Sequence, residues 1–193
     1  MSQILVLDVS QFQPATIDFK KYADAGVRGV YVQATRGNDG SNPYFEQQVK
    51  GAIDQGLAVG AYHFCYPLPT APGHLNRDPR GQATLFKDKA LEIISGAPLK
   101  MPPMADVEWP LYGDWSKWVV TADLIGDWVP EFVKCVDEDW GKTCGVYTFR
   151  GTSTRSPGPT PRTCPDGTSG WPRTPRATTW FQARPRWVAR SRG

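Results

Sequence analysis

Between residues 4 and 149 the chain alternates short apolar, β-branched runs with amphipathic stretches. This alternation restricts the fold more than any other feature. Ile4–Asp8 reads as a strand, and Ile17–Ala25 as a short helix that Gly26 stops. Arg28–Thr35 is a second strand. A helix opens at Asn42-Pro43 and stops at Gly56. Leu57–Phe64 is a third strand, and Tyr66–Arg80, rich in Pro and Gly, is a long loop. Gly81–Ser95 reads as a helix with Ala83, Phe86, Ala90, Leu91 and Ile94 on one face. Pro102–Glu108 is a fourth strand, and Trp109–Val120 an aromatic loop. Thr121 caps a helix reaching Asp139, which Pro130 should bend or split. Thr143–Phe149 is a fifth strand. Strands separated by helices imply parallel β-α units, and five in a row imply a barrel or a doubly wound sheet.

Two of these strands end in acids. Met101-Pro-Pro-Met-Ala-Asp-Val-Glu108 carries Asp106 and Glu108, and Ile4-Leu-Val-Leu-Asp8 ends in Asp8. A buried carboxylate is costly unless it is paired or used. In β/α folds, chemistry sits at the C-terminal ends of the strands. Residues i and i+2 of a strand share a face. Met104, Asp106 and Glu108 should therefore look into a barrel while Ala105 and Val107 pack on helices, with Asp8 at the same mouth. Clustered carboxylates repel, so at least one holds a proton near neutral pH. Glycosidic cleavage needs such a set: one acid to protonate the leaving oxygen, and one carboxylate to stabilise or attack the anomeric centre. Two other readings compete. The acids could be ordinary loop-edge residues or helix caps, or they could bind Mg²⁺ or Ca²⁺. No supporting ligand pattern accompanies the second, and neither a metal nor a cofactor is expected.

Length and composition suit one core and one domain. The N-terminus does not read as a signal peptide: it lacks a basic start, and Asp8 cuts its apolar run short. No segment is long enough to span a membrane. The cysteines Cys65, Cys135, Cys144 and Cys164 have neither metal-ligand nor disulfide-framework spacing, so reduced thiols are expected. The net charge of +3 hides an asymmetry. Residues 1–149 hold 13 Lys and Arg against 18 Asp and Glu, whereas residues 150–193 hold 9 Arg and only Asp166.

Five motifs then occur in order: Leu7-Asp-Val-Ser10, Gly60-Ala-Tyr-His-Phe64, Gln82-Ala83, Asp106-Val-Glu108 and Gly145-Val-Tyr-Thr148. In residues 1–149 the chain resembles glycoside hydrolase family 25, the Chalaropsis-type lysozymes common among phage endolysins and bacterial autolysins. The resemblance implies an α/β fold, a modified TIM-like β/α barrel with fewer helices than strands. It also implies N-acetylmuramidase activity: hydrolysis of the β-1,4 bond between N-acetylmuramic acid and N-acetylglucosamine in peptidoglycan. By motif, Glu108 looks like the general acid/base. Asp106 looks like its partner, either as nucleophile or as the group orienting a substrate acetamide, and Asp8 like a carboxylate that tunes the pair. Tyr62, Tyr147 and Trp109 are candidates for binding sugar rings; Tyr112 is another aromatic near the same strand ends, and Phe64 and Trp115 read better as packing. His63 should face away from Tyr62 and reads as structural. In Ala34-Thr-Arg-Gly37, Arg36 stands where many relatives carry Glu, and it could pair with an acid or a peptide-stem carboxylate.

Residues 150–193 contain no Leu, Ile, Met, Lys, Glu, Asn, Tyr or His and are dominated by Arg, Pro, Thr, Ser and Gly. The composition is that of a disordered tail. The strands 6 to 8 that the resemblance leads one to expect are not recognisable, so the barrel should be incomplete. Our hypothesis is a frameshift shortly after Phe149. Read one base earlier, Cys164–Pro172 permits Leu-Pro-Arg-Trp-His-Leu-Trp-Leu-Ala. The final Ala is forced, because Trp171 ends in G and Pro172 begins with CC. The expected strand 6 resembles Leu-Trp-x-Ala-x-Tyr. Sequencing the encoding nucleic acid tests this; early stops in that frame would sink it.

The expected function is therefore a cell-wall muramidase acting on peptidoglycan glycan strands. It should be a monomer without nucleic-acid or membrane partners, made in the cytoplasm and acting on the wall after lysis or non-classical export. The alternative is a catalytically inactive glycan-binding remnant. A DNA-binding role for the Arg-rich tail would show salt-sensitive binding that disappears on deleting 150–193.

Overall fold

The computed structural model describes residues 4–67, 79–108, 122–148 and 176–179. Five parallel strands carry the architecture: β1 (Leu5–Val9), β2 (Val27–Arg36), β4 (Ala58–Phe64), β5 (Met104–Val107) and β6 (Gly145–Thr148). The two-residue β3 (Gly40–Ser41) folds back antiparallel on β2. The backbone of β7 (Arg176–Thr179) lies antiparallel on β1; no sequence pattern had marked a strand there. The order is β6-β5-β4-β2-β1-β7. Each parallel strand is added next to its predecessor, with no reversal of direction. A doubly wound sheet would reverse at a switch point, so that alternative falls. The strands form a curled half-barrel, an incomplete barrel with helices.

Four helices cover one face of the sheet: α1 (Phe19–Asp24), α2 (Phe45–Ile53), α3 (Pro79–Ser95) and α4 (Ala122–Trp140). Asp18 caps α1 by accepting from the Lys21 amide at 3.2 Å. Gly26 and Gly56 adopt the positive φ values that let the chain turn into β2 and β4. On α3, Ala83, Phe86, Ala90 and Ile94 are buried as the spacing predicts, while Leu91 is only half-buried. Helix α4 runs through Pro130 without splitting, contrary to one of the two sequence expectations. The main core joins Leu7, Val9, Val30, Val32, Val59, Ala61, Ala105 and Val107 of the strands to Phe19, Phe45, Phe86 and Phe132 of the four helices. A smaller cluster on the opposite, inner face holds Val6, Tyr31 and Tyr62 against Met101 and Met104. The expected alternation along β5 is therefore present: Ala105 and Val107 pack on helices and Met104 looks inward.

At the open edge, Val146 of β6 is 48% exposed on the side where the other strands carry helices. The Trp109–Val120 loop and most of the 66–80 loop lie outside the described residues.

Candidate active site

The carboxylates come together at the C-terminal ends of β1 and β5. Asp8 and Asp106 line one solvent-open pocket with Tyr31, Tyr62, Met104 and Tyr147. Glu108 follows β5, partly exposed, and its charge acts on both Asp106 and Tyr62. Register explains the convergence. Tyr62 pairs with Met104, and Phe64 with Asp106, which in turn pairs with Tyr147. In a parallel sheet paired residues point to the same side.

Asp106 is 9% exposed, and its Oδ1 is buried without a hydrogen-bond partner. Desolvation pushes its pKa well above the ordinary carboxylate value, and the charges of Glu108 and Asp8 push it further. At neutral pH the cluster can hold a proton, which is what an acid catalyst requires. Tyr62 is buried; burial, then the charges of Asp8, Asp106 and Glu108, raise its phenol far up, so it stays a donor. Tyr31 donates to the Pro102 carbonyl at 3.1 Å, tying β2 to the entry of β5. Burial pushes its phenol up to about 12. Its ring passes over Gly60, where a Cβ would come within 2.4 Å of it; only glycine fits.

Arg36 is not in the pocket wall. It stands exposed at the end of β2, its side chain crossing Gly40 of β3. Trp109 and the aromatics Tyr112 and Trp115 lie outside the described residues. Tyr62 and Tyr147 both line the pocket. His63 points to the helix side. Thr35 Oγ1 lies 2.8 Å from its Nδ1, and Gln82 Oε1 2.9 Å from its Nε2. Its ring stacks on Phe132 with centroids 5.1 Å apart. Burial lowers its pKa to about 4, so the ring is neutral at pH 7. Gln82 also accepts from the Tyr66 amide and donates to the Tyr66 carbonyl, each at 3.1 Å. The Gln82-Ala83 motif is thus a clamp between α3 and the end of β4.

Sequence reasoning missed Tyr31 and Met104 as pocket walls. Met104 had been placed on the inner face; Tyr31 was reachable by the same period-2 argument applied to β2. It also missed a polar hub behind the site. Gln48 Nε2 donates to the carbonyls of Ser10, Gln13 and Pro14, and its Oε1 accepts from Asn42, which also donates to the Gln33 carbonyl. The hub fixes the turn that follows Asp8.

Fold and site together define an α/β half-barrel with a carboxylate pocket at its C-terminal strand ends. The chain belongs to the family Glycosyl hydrolases family 25, whose profile it matches over residues 7–155. Among curated relatives, an N,O-diacetylmuramidase of Arthroderma benhamiae is 35% identical over 64 residues, 33% of this chain and 27% of that protein. The uncharacterised protein YegX of Escherichia coli O157:H7 is 28% identical over 147 residues, 74% of this chain and 47% of YegX. A family GH25 lysozyme from Aspergillus fumigatus superposes with a TM-score of 0.64 at 22% identity, covering 76% of this chain and 66% of that one. The chain therefore spans less than half the length of these curated relatives and about two thirds of the structural one.

Proposed function

We propose that this protein is a peptidoglycan hydrolase cleaving the β-1,4 bond between N-acetylmuramic acid and N-acetylglucosamine. The observation that carries the reading is the buried Asp106, whose pKa is raised by desolvation and then by the charges of Glu108 and Asp8, at the mouth of a family 25 half-barrel. In this reading Glu108, the more accessible acid, donates a proton to the leaving oxygen and then activates water. Asp106 serves as nucleophile or orients the substrate acetamide. Asp8, beside Tyr62 in the pocket wall, tunes the pair. Tyr62 and Tyr147 contact the sugar, Trp109 adds a stacking surface, and Arg36 meets an anionic group further out. The barrel is of the modified TIM-like type. The substrate is the glycan strand of the wall, reached after release from the cytoplasm, and the protein acts as a monomer without nucleic acid or membrane.

Loss of turbidity in a peptidoglycan suspension tests this. The unsubstituted protein should clear the suspension and Glu108→Gln should not; equal rates end the assignment. One observation favours the second reading, an inactive glycan-binding remnant: the described strands do not close, and Val146 is left exposed at the β6 edge. That reading requires binding to peptidoglycan with no clearing by either protein.

A further inference from the structure

Five amide side chains, Gln13, Gln33, Asn42, Gln48 and Gln82, are buried around β2 and the ends of β1 and β4, and three are engaged at both ends. Asn42 Oδ1 accepts from the Tyr44 amide while its Nδ2 serves Gln33 and Gln48. Gln48 and Gln82 are bonded through both oxygen and nitrogen. Gln13 Oε1 accepts from the Ser10 amide and hydroxyl; Gln33 is the one of the five whose oxygen is unpartnered. It is 6% exposed, and its Oε1 is buried without a hydrogen-bond partner. A buried orphan acceptor destabilises the fold and calls for an explanation.

Its position supplies one. Gln33 lies two residues after Tyr31, on the inner face of β2, and pairs in register with Tyr62. Tyr31 and Tyr62 are both walls of the carboxylate pocket, and paired residues on neighbouring strands lie about 5 Å apart. The other orphan acceptor on this face is Asp106 Oδ1. The two make no hydrogen bond to each other; a molecule bringing hydroxyl or amide donors satisfies both.

We infer that Gln33 is a glycan-binding residue whose amide oxygen accepts from a hydroxyl or acetamido N–H of the bound amino sugar. This rests on the muramidase reading and adds a residue to its binding surface. The orphan exists only in the empty site, so the ligand-free fold carries the penalty and the complex relieves it. A purely structural glutamine behaves in the opposite way.

The test uses Gln33→Met, nearly isosteric and without polar atoms. Melting temperature and affinity for the tetrasaccharide of alternating N-acetylglucosamine and N-acetylmuramic acid are measured, with Glu108→Gln in both proteins to prevent turnover. Gln33→Met should melt at or above its parent and bind about tenfold more weakly. A lower melting temperature, or unchanged affinity, overturns the inference. Clearing of peptidoglycan by the unsubstituted protein is run in parallel. If it neither clears the wall nor binds the tetrasaccharide, the muramidase reading falls and takes this inference with it. If it clears the wall while Gln33→Met binds as its parent does, only the inference falls.

Discussion

Tyr62 on β4 and Asp8 on β1 line the same pocket although β2 lies between their strands. The charge of Asp8 adds to burial in keeping the Tyr62 phenol protonated, so two strand ends that do not touch through the backbone are linked electrostatically. Tyr62→Phe keeps the ring and removes only the hydroxyl. Its rate of peptidoglycan clearing should fall about tenfold with little change in fold, as judged by circular dichroism, since hydrogen bonds to charged groups are worth about 1.5–3 kcal/mol. A wild-type rate would show that the hydroxyl does not matter to activity.

Asp106→Asn should separate stability from activity. The substitution removes a charge that is desolvated and pressed by Glu108 and Asp8. The variant should be more stable at pH 7, by about 1–2 kcal/mol in thermal denaturation, while clearing is lost. A destabilised variant would mean that Asp106 is held by interactions outweighing its desolvation.

His63 sets a pH dependence of stability. Its folded value of about 4 lies below the unfolded 6.5, so the unfolded chain binds the proton more readily. Its contribution is full above pH 6.5 and is lost as pH falls toward 4, by about 3 kcal/mol at the low end. Asp106 acts with the opposite sign: its raised pKa favours folding below 3.8, and that contribution fades as pH rises. Urea unfolding of wild type and His63→Phe between pH 4 and 7 isolates the histidine. The variant should show a flatter profile over 4–6.5, and parallel profiles would refute the assignment.

Gln48→Leu removes the donor to the Ser10, Gln13 and Pro14 carbonyls. We expect a loss of about 3 kcal/mol in urea unfolding, since several buried acceptors are orphaned at once. Clearing should weaken in the folded fraction because the turn after Asp8 loosens. A loss below about 0.5 kcal/mol, typical of surface changes, would show that water replaces the amide.

Much of the site was legible because β5 obeys period 2: Met104 and Asp106 fall on one face and Ala105 and Val107 on the other. Strand β2 is different. Its register with β4 slips between Gln33 and Thr35, so Ala34 and Thr35 both turn toward the helix side, where Thr35 meets His63. A bulge adds one residue and reverses the parity beyond it, so strict alternation cannot tell where Arg36 points. The hairpin to β3 was missed because two residues give no periodicity; its turn depends on Gly37 at φ 51. The Asn42–Gln48 hub was invisible for another reason. Its partners at residues 10, 13, 14 and 33 become neighbours only once β1, β2 and α2 have packed.

The strand order carries a consequence for synthesis. After β1 and β2 pair, β4, β5 and β6 are each laid on the outer edge in the order in which they leave the ribosome. No strand has to be inserted between two others, so the wall can grow as translation proceeds, with only short-range searches at each step. Asp8 is in place early, but its acidic partners arrive about a hundred residues later. The nascent chain is therefore a scaffold without a pocket until β5 docks, and a pulse of pocket-dependent sugar binding on stalled chains would mark that moment.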